Sequence, residues 1–188
     1  STKCGFTGVL LGLSGGIDSA LVAIIACAAL GAENVSAILM PSPWSSKGSI
    51  TDAKELAQRL NIKATTIPIT TLMKTYDEAL EMHLGEIPEG LTAENLQARI
   101  RGTLLMAIAN KQKRLLLSTG NKSELAVGYC TLYGDMNGGL SVIGDLYKTS
   151  VFSLCKWIDS KGSYTCRKSL GLKHVGELIG SEILNKPP

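Results

Sequence analysis

One stretch decides the fold of this chain: Val9-Leu10-Leu11-Gly12-Leu13-Ser14-Gly15-Gly16-Ile17-Asp18-Ser19-Ala20-Leu21. It begins as an apolar run short enough for a buried strand, passes through Ser-Gly-Gly, and continues as an apolar pattern of helical length up to Leu30. A strand that turns directly into a helix points the unpaired N–H groups of the first helical turn at one spot, where the helix dipole is positive. Such a turn is an anion site, and two glycines would let a phosphate approach the backbone without meeting a Cβ atom.

Asp18 is the unexpected member of this turn, because a carboxylate repels a phosphate. A magnesium ion between the two would remove the conflict, since hard cations prefer carboxylate and phosphate oxygens. Ser14 and Ser19 add hydroxyl donors. The residues also fit a simpler interpretation, a tight strand-to-helix turn in which Asp18 only favours the positive helix end. Other phosphate loops fit less well, because the sequence has no G-x-x-x-x-G-K-[ST] pattern.

Length, composition and charge limit the function classes. The chain has 188 residues, 45% of them hydrophobic, which suits one domain with an aliphatic core. The formal charge is only +3 and the basic residues are scattered, so nucleic-acid binding is not indicated. The longest apolar stretch, Leu21–Leu30, is about half of a membrane span, and no membrane partner is expected. Five cysteines without C-x-x-C spacing indicate a reducing, cytoplasmic compartment.

The alternation of apolar runs predicts an α/β fold, an open and mostly parallel sheet with helices on both faces. In such a sheet the ligand site lies beyond the carboxyl ends of the strands, at the switch in strand order. Strands are predicted from Val9 and at 35–40, 64–69 and 115–118. Helices are predicted at 17–30, from a capping box that begins at Ser49, and at 70–84, 92–110, 123–127 and 149–158. The residues predicted to share the inward side of the 70–84 helix are Leu72, Tyr76, Ala79, Leu80 and His83. The apolar stripe predicted on the 92–110 helix consists of Leu96, Ile100, Leu104 and Ile108. The segment 129–144 is predicted to be irregular, and 161–173 to be polar and mobile.

The loop Thr119–Glu124 follows the fourth predicted strand. Thr119 offers a hydroxyl, and Glu124 offers a second hard-oxygen ligand beside Asp18, so that two carboxylates from separate loops could share a magnesium ion. The alternative is an ordinary helix start, with Ser123 or Asn121 as the cap and Glu124 in the favourable first turn.

Three further groups of residues could bind a nucleotide. On the longest predicted helix, Asn95 and Arg99 share a face, and so do Gln97 and Arg101; a solvated face is the usual explanation of such pairs. The Tyr129–Asp135 stretch combines rings, donors and an acid, which suits either a bound base or a loop packed by its own tyrosines. Lys148, just before a helix, is a possible phosphate contact. Gly102 indicates that something packs closely against the long helix.

Together these motifs resemble a known family. The first turn resembles the S-G-G-x-D-S loop of the PP-loop ATP pyrophosphatases, the group with the adenine nucleotide alpha hydrolase-like fold. More narrowly, the chain resembles the NAD synthetase family, and within it the synthetase domain of the glutamine-dependent type. The likeness rests on three stretches: Glu94-Asn95-Leu96-Gln97-Ala98-Arg99-Ile100-Arg101-Gly102, Ser118-Thr119-Gly120-Asn121-Lys122-Ser123-Glu124 and Ala126-Val127-Gly128-Tyr129-Cys130-Thr131-Leu132-Tyr133-Gly134-Asp135-Met136-Asn137-Gly138-Gly139.

The resemblance implies roles for individual residues. ATP would be held by Leu13, Ser14, Gly15, Gly16, Ile17, Asp18, Ser19, Thr119 and Lys148. Asp18 and Lys148 would be catalytic, and Asp18 with Glu124 would bind Mg²⁺. The dinucleotide substrate would meet Asn95, Arg99, Glu124, Tyr129, Cys130, Thr131, Leu132 and Asp135. Leu132 stands where the ammonia-using branch tends to carry a lysine, which favours the glutamine-using branch.

By this resemblance the protein would be a ligase that forms a C–N bond. It would adenylate the carboxylate of nicotinic acid adenine dinucleotide with ATP, release pyrophosphate, and let ammonia displace AMP to give NAD. A homodimer is implied by analogy only. Residues 1–188 would form a single ATP-pyrophosphatase domain that is incomplete at its C-terminus and has no glutaminase domain. The alternatives are another PP-loop amidoligase and a nucleotide-binding domain without turnover.

Overall fold

The computed structural model describes residues 5–186 of the chain. Its strands are β1 (Val9–Gly12), β2 (Val35–Leu39), β3 (Lys63–Thr66), β4 (Leu115–Ser118) and β5 (Leu140–Ser141). Its α-helices are α1 (Ile17–Leu30), α2 (Lys47–Leu60), α3 (Thr70–Leu84), α4 (Gly90–Gln112), α5 (Lys122–Val127), α6 (Lys148–Asp159), α7 (Tyr164–Ser169) and α8 (Ser181–Leu184).

The strands form one parallel sheet in the order β3-β2-β1-β4-β5. The register pairs Val9 with Val35 on one side and with Leu115 on the other. After β1 the chain moves outward through β2 and β3, and it then returns to place β4 on the opposite side of β1. The switch in strand order therefore falls between β1 and β4. The loops that follow these two strands leave the same edge of the sheet in different directions.

Each face of the sheet has its own apolar core. One core joins β1, β2 and β4 to helices α1, α2 and α6 and to the segment that ends in α8, with Leu11, Leu21 and Leu56 fully buried. The other joins the opposite strand faces to α3 and α4 through Leu10, Met73 and Ile100. The alternation of Leu10 and Leu11 between the two cores is the period of a strand that is covered on both sides. The predicted fold class is confirmed.

Most predicted elements are present, with small shifts in their bounds. Helices α1 and α3 begin and end at the predicted residues, and α4 is longer than predicted by a few residues. The apolar stripe predicted on α4 is also confirmed, because Ile100 is buried and Leu96, Leu104 and Ile108 pack against the same core. Within the described residues, no helix is both long enough and apolar enough to cross a membrane.

Several element predictions were wrong. Helix α2 begins at Lys47, because Ser46 rather than Ser49 is its cap, and the Ser46 hydroxyl accepts the Ser49 N–H at 3.0 Å. Strand β3 lies at the sheet edge and covers only Lys63–Thr66, with all four residues exposed. In α3 the buried side chain is Met73, whereas the predicted inward residues Leu72 and Tyr76 are exposed.

The segment 161–173, for which the sequence predicts a polar and mobile stretch, is partly helical. A 3₁₀ turn at Lys161–Ser163 leads into α7, and the side chains of Ser163 and Arg167 are buried. The predicted irregular segment 129–144 is irregular except for the short strand β5.

Candidate active site

The turn between β1 and α1 is organised by two serines. The hydroxyl oxygens of Ser14 and Ser19 lie 3.1 Å apart, and the Gly16 N–H donates to Ser14 Oγ at 3.2 Å. Ser19 in turn donates to the Gly16 carbonyl at 3.0 Å. Gly16 caps α1 without a side-chain acceptor, so the N–H groups of the first turn stay available to a ligand. The turn therefore has the donors that an anion site requires.

Gly15 fixes how closely the neighbouring helix approaches this turn. Its φ angle is +79°, and a Cβ atom added there would lie 2.2 Å from the carbonyl oxygen of Ser49. Any other residue would both strain the backbone and collide with the first turn of α2. The turn is thus packed between the beginnings of α1 and α2.

Asn121 joins the second loop to the first. It is fully buried and caps α5, accepting the Glu124 N–H at 3.0 Å, while its own backbone N–H donates to Glu124 Oε2 at 3.1 Å. This reciprocal capping box fixes the Glu124 carboxylate. The Asn121 side-chain amide also donates to Asp18 Oδ1 at 3.0 Å. Asn121 therefore forms hydrogen bonds with both Asp18 and Glu124, the two carboxylates predicted to bind magnesium.

Lys148 completes the arrangement from a third element. It is the first residue of α6, its ammonium pairs with the carboxylate of Asp18, and its backbone N–H donates to Ser123 Oγ at 3.0 Å. Both side chains of the pair are largely buried, with 26% of Lys148 and 16% of Asp18 exposed. The two residues predicted to be catalytic thus lie in direct contact, although 130 residues separate them.

The electrostatics of this corner favour a cation. Burial raises the pKa of Glu124 above its ordinary value, and the negative charges of Asp18 and Asp135 act in the same direction. The backbone N–H of Asn121 and the charge of Lys148 act in the opposite direction. Carboxylates that are crowded and partly desolvated are stabilised by a positive charge, which Lys148 now supplies.

The donor set fits a magnesium ion that also binds phosphate. Among residues 5–186 there is no group of three or more His, Cys, Asp or Glu side chains placed to hold a metal by themselves. Mg²⁺ does not need such a group, because it usually takes one or two carboxylates, water molecules and the phosphates of a substrate. Asp18 and Glu124 offer that number of carboxylates beside the anion turn.

The residues predicted to meet a dinucleotide connect α4 to the 129–137 loop. Thr131 donates its hydroxyl to Asn95 Oδ1 and its N–H to Asp135 Oδ1, both at 2.7 Å. Arg99 donates from Nε to the Leu132 carbonyl at 3.2 Å. Tyr129 and Leu132 remain mostly exposed, at 75% and 64%.

Gly102 confirms the predicted close packing against the long helix. A Cβ atom at this position would lie 2.5 Å from Asn137 Nδ2 and 2.7 Å from the carbonyl oxygen of Gly134. The 129–137 loop therefore rests on the backbone of α4, with no room for a side chain between them.

Two cavities meet above the carboxyl ends of β1 and β4. They enclose about 410 Å³ and about 590 Å³ and share walls formed by Ser14, Ser118, Thr119 and Asp135. The predicted site residues that line the smaller cavity are Ser14, Gly16, Asp18, Ser19, Thr119, Glu124, Tyr129, Cys130 and Asp135. Leu13, Ser14, Thr119 and Asp135 line the larger one. The predicted residues outside both sets of lining residues are Gly15, Ile17, Asn95, Arg99, Thr131, Leu132 and Lys148.

Sequence reasoning missed two residues of this region. Arg101 was assigned to a face that could be merely solvated, but it lines the larger cavity and donates from Nε to the Met40 carbonyl at 3.1 Å. Burial lowers the pKa of its guanidinium. Asn121 was weighed only as a helix cap, and its bond to Asp18 carries no signal in the sequence, since it spans 103 positions.

Comparisons with known proteins point to one family. A glutamine-dependent NAD(+) synthetase from Synechocystis sp. is 58% identical over 186 residues, which are 99% of this chain and 31% of that protein. A solved glutamine-dependent NAD+ synthetase from Acinetobacter baumannii, in complex with adenosine diphosphate, has a TM-score of 0.87 at 45% identity and is matched over 98% of this chain and 33% of its own. An NH3-dependent NAD synthetase from Campylobacter jejuni has a TM-score of 0.76 at 36% identity, over 89% and 70% of the two chains.

The chain spans about a third of the length of the curated relatives that it matches. The family model described as NAD synthase matches residues 1–188, the whole of the sequence. On that match, and on relatives as similar as the one from Synechocystis, this chain belongs to the NAD synthase family.

Proposed function

We propose that the protein to which this chain belongs is an NAD synthetase. It converts nicotinic acid adenine dinucleotide to NAD by an ATP-dependent amidation, passes through an acyl-adenylate, and releases AMP and pyrophosphate. The observation that carries the proposal is the contact of Asp18 with both Lys148 and Asn121 at the mouth of the anion turn. Family membership and the names of the relatives support the same reaction.

In the first step an oxygen of the substrate carboxylate attacks the α-phosphorus of ATP. A P–O bond forms, the bond to the bridging oxygen of the β-phosphate breaks, and pyrophosphate leaves. The N–H groups at the beginning of α1 and the hydroxyls of Ser14 and Ser19 bind the leaving group. Catalysis of this kind depends on alignment and on neutralising charge, not on a side-chain nucleophile.

In this step Lys148 and the carboxylates have different roles: Lys148 would bind a phosphate oxygen, and the carboxylates would bind the metal ion. Lys148 lies close enough to Asp18 to turn its ammonium from the carboxylate to a phosphate oxygen when ATP binds. Asn121 keeps the Asp18 and Glu124 carboxylates oriented through its side-chain amide and its backbone N–H. Asp18 and Glu124 would hold the Mg²⁺, which when bound supplies Lewis-acid stabilisation of the pyrophosphate.

In the second step ammonia attacks the acyl carbon and AMP leaves. The residues proposed for the dinucleotide, from Asn95 and Arg99 to the 129–135 stretch, lie on α4 and on the loop packed against it. We propose that the ammonia is produced elsewhere in the protein, because the curated relatives are named glutamine-dependent and are about three times as long as this chain.

We also propose a homodimer and a cytoplasmic location. A dimer is supported by analogy with the family and by the exposed apolar side chains near the dinucleotide residues, among them Val127, Leu132 and Tyr133. The cytoplasmic location rests on the cysteines, since Cys27, Cys130, Cys155 and Cys166 are all free thiols. Sedimentation of the purified protein measures the first of these proposals directly.

The reaction is tested with the full-length protein, ATP, Mg²⁺, nicotinic acid adenine dinucleotide and ammonium ions. We expect NAD, AMP and pyrophosphate in equal amounts, separated and quantified by chromatography. Asp18→Asn should reduce this turnover far more than it reduces the melting temperature, because it removes a charge while nearly conserving shape.

Other outcomes distinguish the alternatives. ADP in place of AMP would contradict the pyrophosphatase chemistry. AMP and pyrophosphate formed only with a different acid as co-substrate would indicate another amidoligase. Tight ATP binding with no product would indicate a nucleotide-binding domain without turnover.

A further inference from the structure

Lys186 reaches the anion turn from the far end of the described chain. Its ammonium donates to the Gly15 carbonyl at 2.9 Å and to Ser49 Oγ at 3.3 Å, and it pairs with Asp52 Oδ2 at 2.6 Å. Gly15 belongs to the turn, whereas Ser49 and Asp52 belong to α2. The lysine therefore joins three segments that are distant in sequence, and the chemistry proposed above makes no use of it.

The bond to Gly15 matters because of peptide geometry. In a planar trans peptide the carbonyl oxygen and the following N–H point in opposite directions. The Gly15 carbonyl faces Lys186, so the N–H of Gly16 must point away from it, toward Ser14 Oγ. Both Gly16 and Ser14 line the smaller cavity. Fixing the carbonyl thus fixes the N–H that holds the Ser14 hydroxyl, a donor at the proposed phosphate site.

Glycine makes such a restraint necessary. Gly15 and Gly16 have more accessible backbone conformations than other residues, and a peptide between two glycines can rotate at small energetic cost. A charged donor held on one side of the peptide removes that freedom, because hydrogen bonds that involve an ion are stronger than neutral ones.

We propose that Lys186 is a positioning residue for ATP binding: with Asp52 and Ser49 it locks the Gly15–Gly16 peptide so that the Gly16 N–H holds the Ser14 hydroxyl in place at the phosphate site. This inference rests on the proposed function only in taking ATP as the ligand of the turn. Lys186 acts through the backbone, and its charge is balanced by Asp52, a side chain that is only 10% exposed.

The balance of charge allows a purely structural role to be separated from a positioning role. In Lys186→Met the Asp52 carboxylate is left largely buried and unpaired, which lowers stability whatever else the lysine does. In the double variant Asp52→Asn with Lys186→Met the unpaired charge is gone, so most of the stability should return. The Gly15 carbonyl still lacks its donor in that double variant.

The test measures the Kd for ATP and the melting temperature of the full-length protein and of these variants. We expect the Kd for ATP to rise about tenfold in Lys186→Met and to stay raised in the double variant, on the scale of one lost charge-assisted hydrogen bond. Lys186→Arg, which keeps a charged donor, should bind nearly as well as the natural protein. Lys168→Met, at an exposed lysine of α7, is the matched control and should change neither quantity.

Recovery of both stability and ATP affinity in the double variant would overturn the proposal, because Lys186 would then only neutralise Asp52. An unchanged Kd for ATP in Lys186→Met would overturn it as well. These readouts are independent of the amidation: a protein that binds ATP at this turn but makes no NAD would refute the proposed function and still test the role of Lys186.

Discussion

Glu124 shows how one side chain serves both folding and the proposed chemistry. As the third residue of α5 it accepts the Asn121 N–H and closes a capping box, a role that an uncharged glutamine can also fill. The hydrogen bond of that cap does not require a charge, although a negative charge also interacts favourably with the positive helix end. The charge is nevertheless retained in a partly buried position beside Asp18 and Asp135, which indicates a role in binding a cation.

Glu124→Gln separates the two roles. Because burial raises the pKa of Glu124 in the folded state, that state binds more protons than the unfolded state as the pH rises above the ordinary value of 4.5. The contribution of Glu124 to stability is thus present at low pH and lost as the pH rises through the folded pKa. We expect the variant to melt at the same temperature or higher at neutral pH without metal, and to bind Mg²⁺ with ATP more weakly.

The matched control is Glu86→Gln, at an exposed position between α3 and α4. Melting curves in a chelator across mildly acidic to neutral pH, with magnesium titrations at neutral pH, measure both effects. Glu124 would be only a helix cap if its variant kept the magnesium affinity of the natural protein.

Individual residue types predicted much of the site. Asp18, Glu124 and Lys148 could be identified from the sequence because their motifs resemble those of the NAD synthetase family, since each residue taken alone also has an ordinary explanation near a helix start. Asn121 and Arg101 could not, because an asparagine before a helix and an arginine on a helix have common structural roles. Only the fold reveals that Arg101 lines a cavity and that Asn121 binds Asp18.

At the scale of elements, the sequence predicted buried strands best. Strands β1, β2 and β4 are short, mostly apolar runs, which is the pattern of parallel strands covered on both faces. Strand β3 is an exposed edge strand with the sequence Lys-Ala-Thr-Thr, so its end could not be read from hydrophobicity. The predicted inward face of α3 was wrong for a related reason. This helix buries little, and a weak apolar pattern does not determine which side of the helix faces the core.

The packing of α4 against the 129–137 loop predicts the effect of Gly102→Ala. The new Cβ atom would collide with Asn137 and with the backbone at Gly134, which cannot move without displacing the loop. We expect a loss of about 1–3 kcal/mol in the free energy of unfolding, the usual range for an overpacked site. Urea denaturation measures it. Binding of the dinucleotide should weaken too, because this loop carries Thr131 and Asp135.

Gly48→Ala is the matched control for this substitution. Gly48 also lies in a helix, but an added Cβ atom would meet only Ser46 Oγ, at 3.9 Å. Alanine favours helix over glycine by up to about 1 kcal/mol, so this variant should be at least as stable as the natural protein. Equal stabilities for the two variants would show that the loop does not rest on α4 as described.

At the scale of the molecule, the site exists because the order of the strands reverses at β1. The loops after β1 and β4 are brought together by that switch, whereas Lys148 and Lys186 reach them from elements more than 100 residues away from the turn. Local patterns predicted the sheet and hence the place of the site. They could not predict the long-range contacts, since nothing near Lys186 in sequence indicates its partner.

The core on the α1 side of the sheet predicts how the whole molecule responds to alkali. Cys27 of α1 and Cys155 of α6 both lie in that core, and burial raises the pKa of each thiol to about 12. The folded state therefore keeps protons that the unfolded state loses above the ordinary value of 9.0, and the free energy of unfolding should fall as the pH rises from 9.0 toward about 12.

The double variant Cys27→Ala with Cys155→Ala removes both thiols, and their effect is measured as the slope of the free energy of unfolding against pH. It should be less stable at neutral pH, because two buried sulfur atoms are lost from packing. Its stability should nevertheless fall less steeply above pH 9.0 than that of the natural protein, since only the two buried thiols have been removed. Urea denaturation at a series of pH values gives the two slopes, and Cys166→Ala, at an exposed thiol, should leave the slope unchanged. Parallel slopes for all three proteins would mean that the core opens to solvent before its thiols ionise.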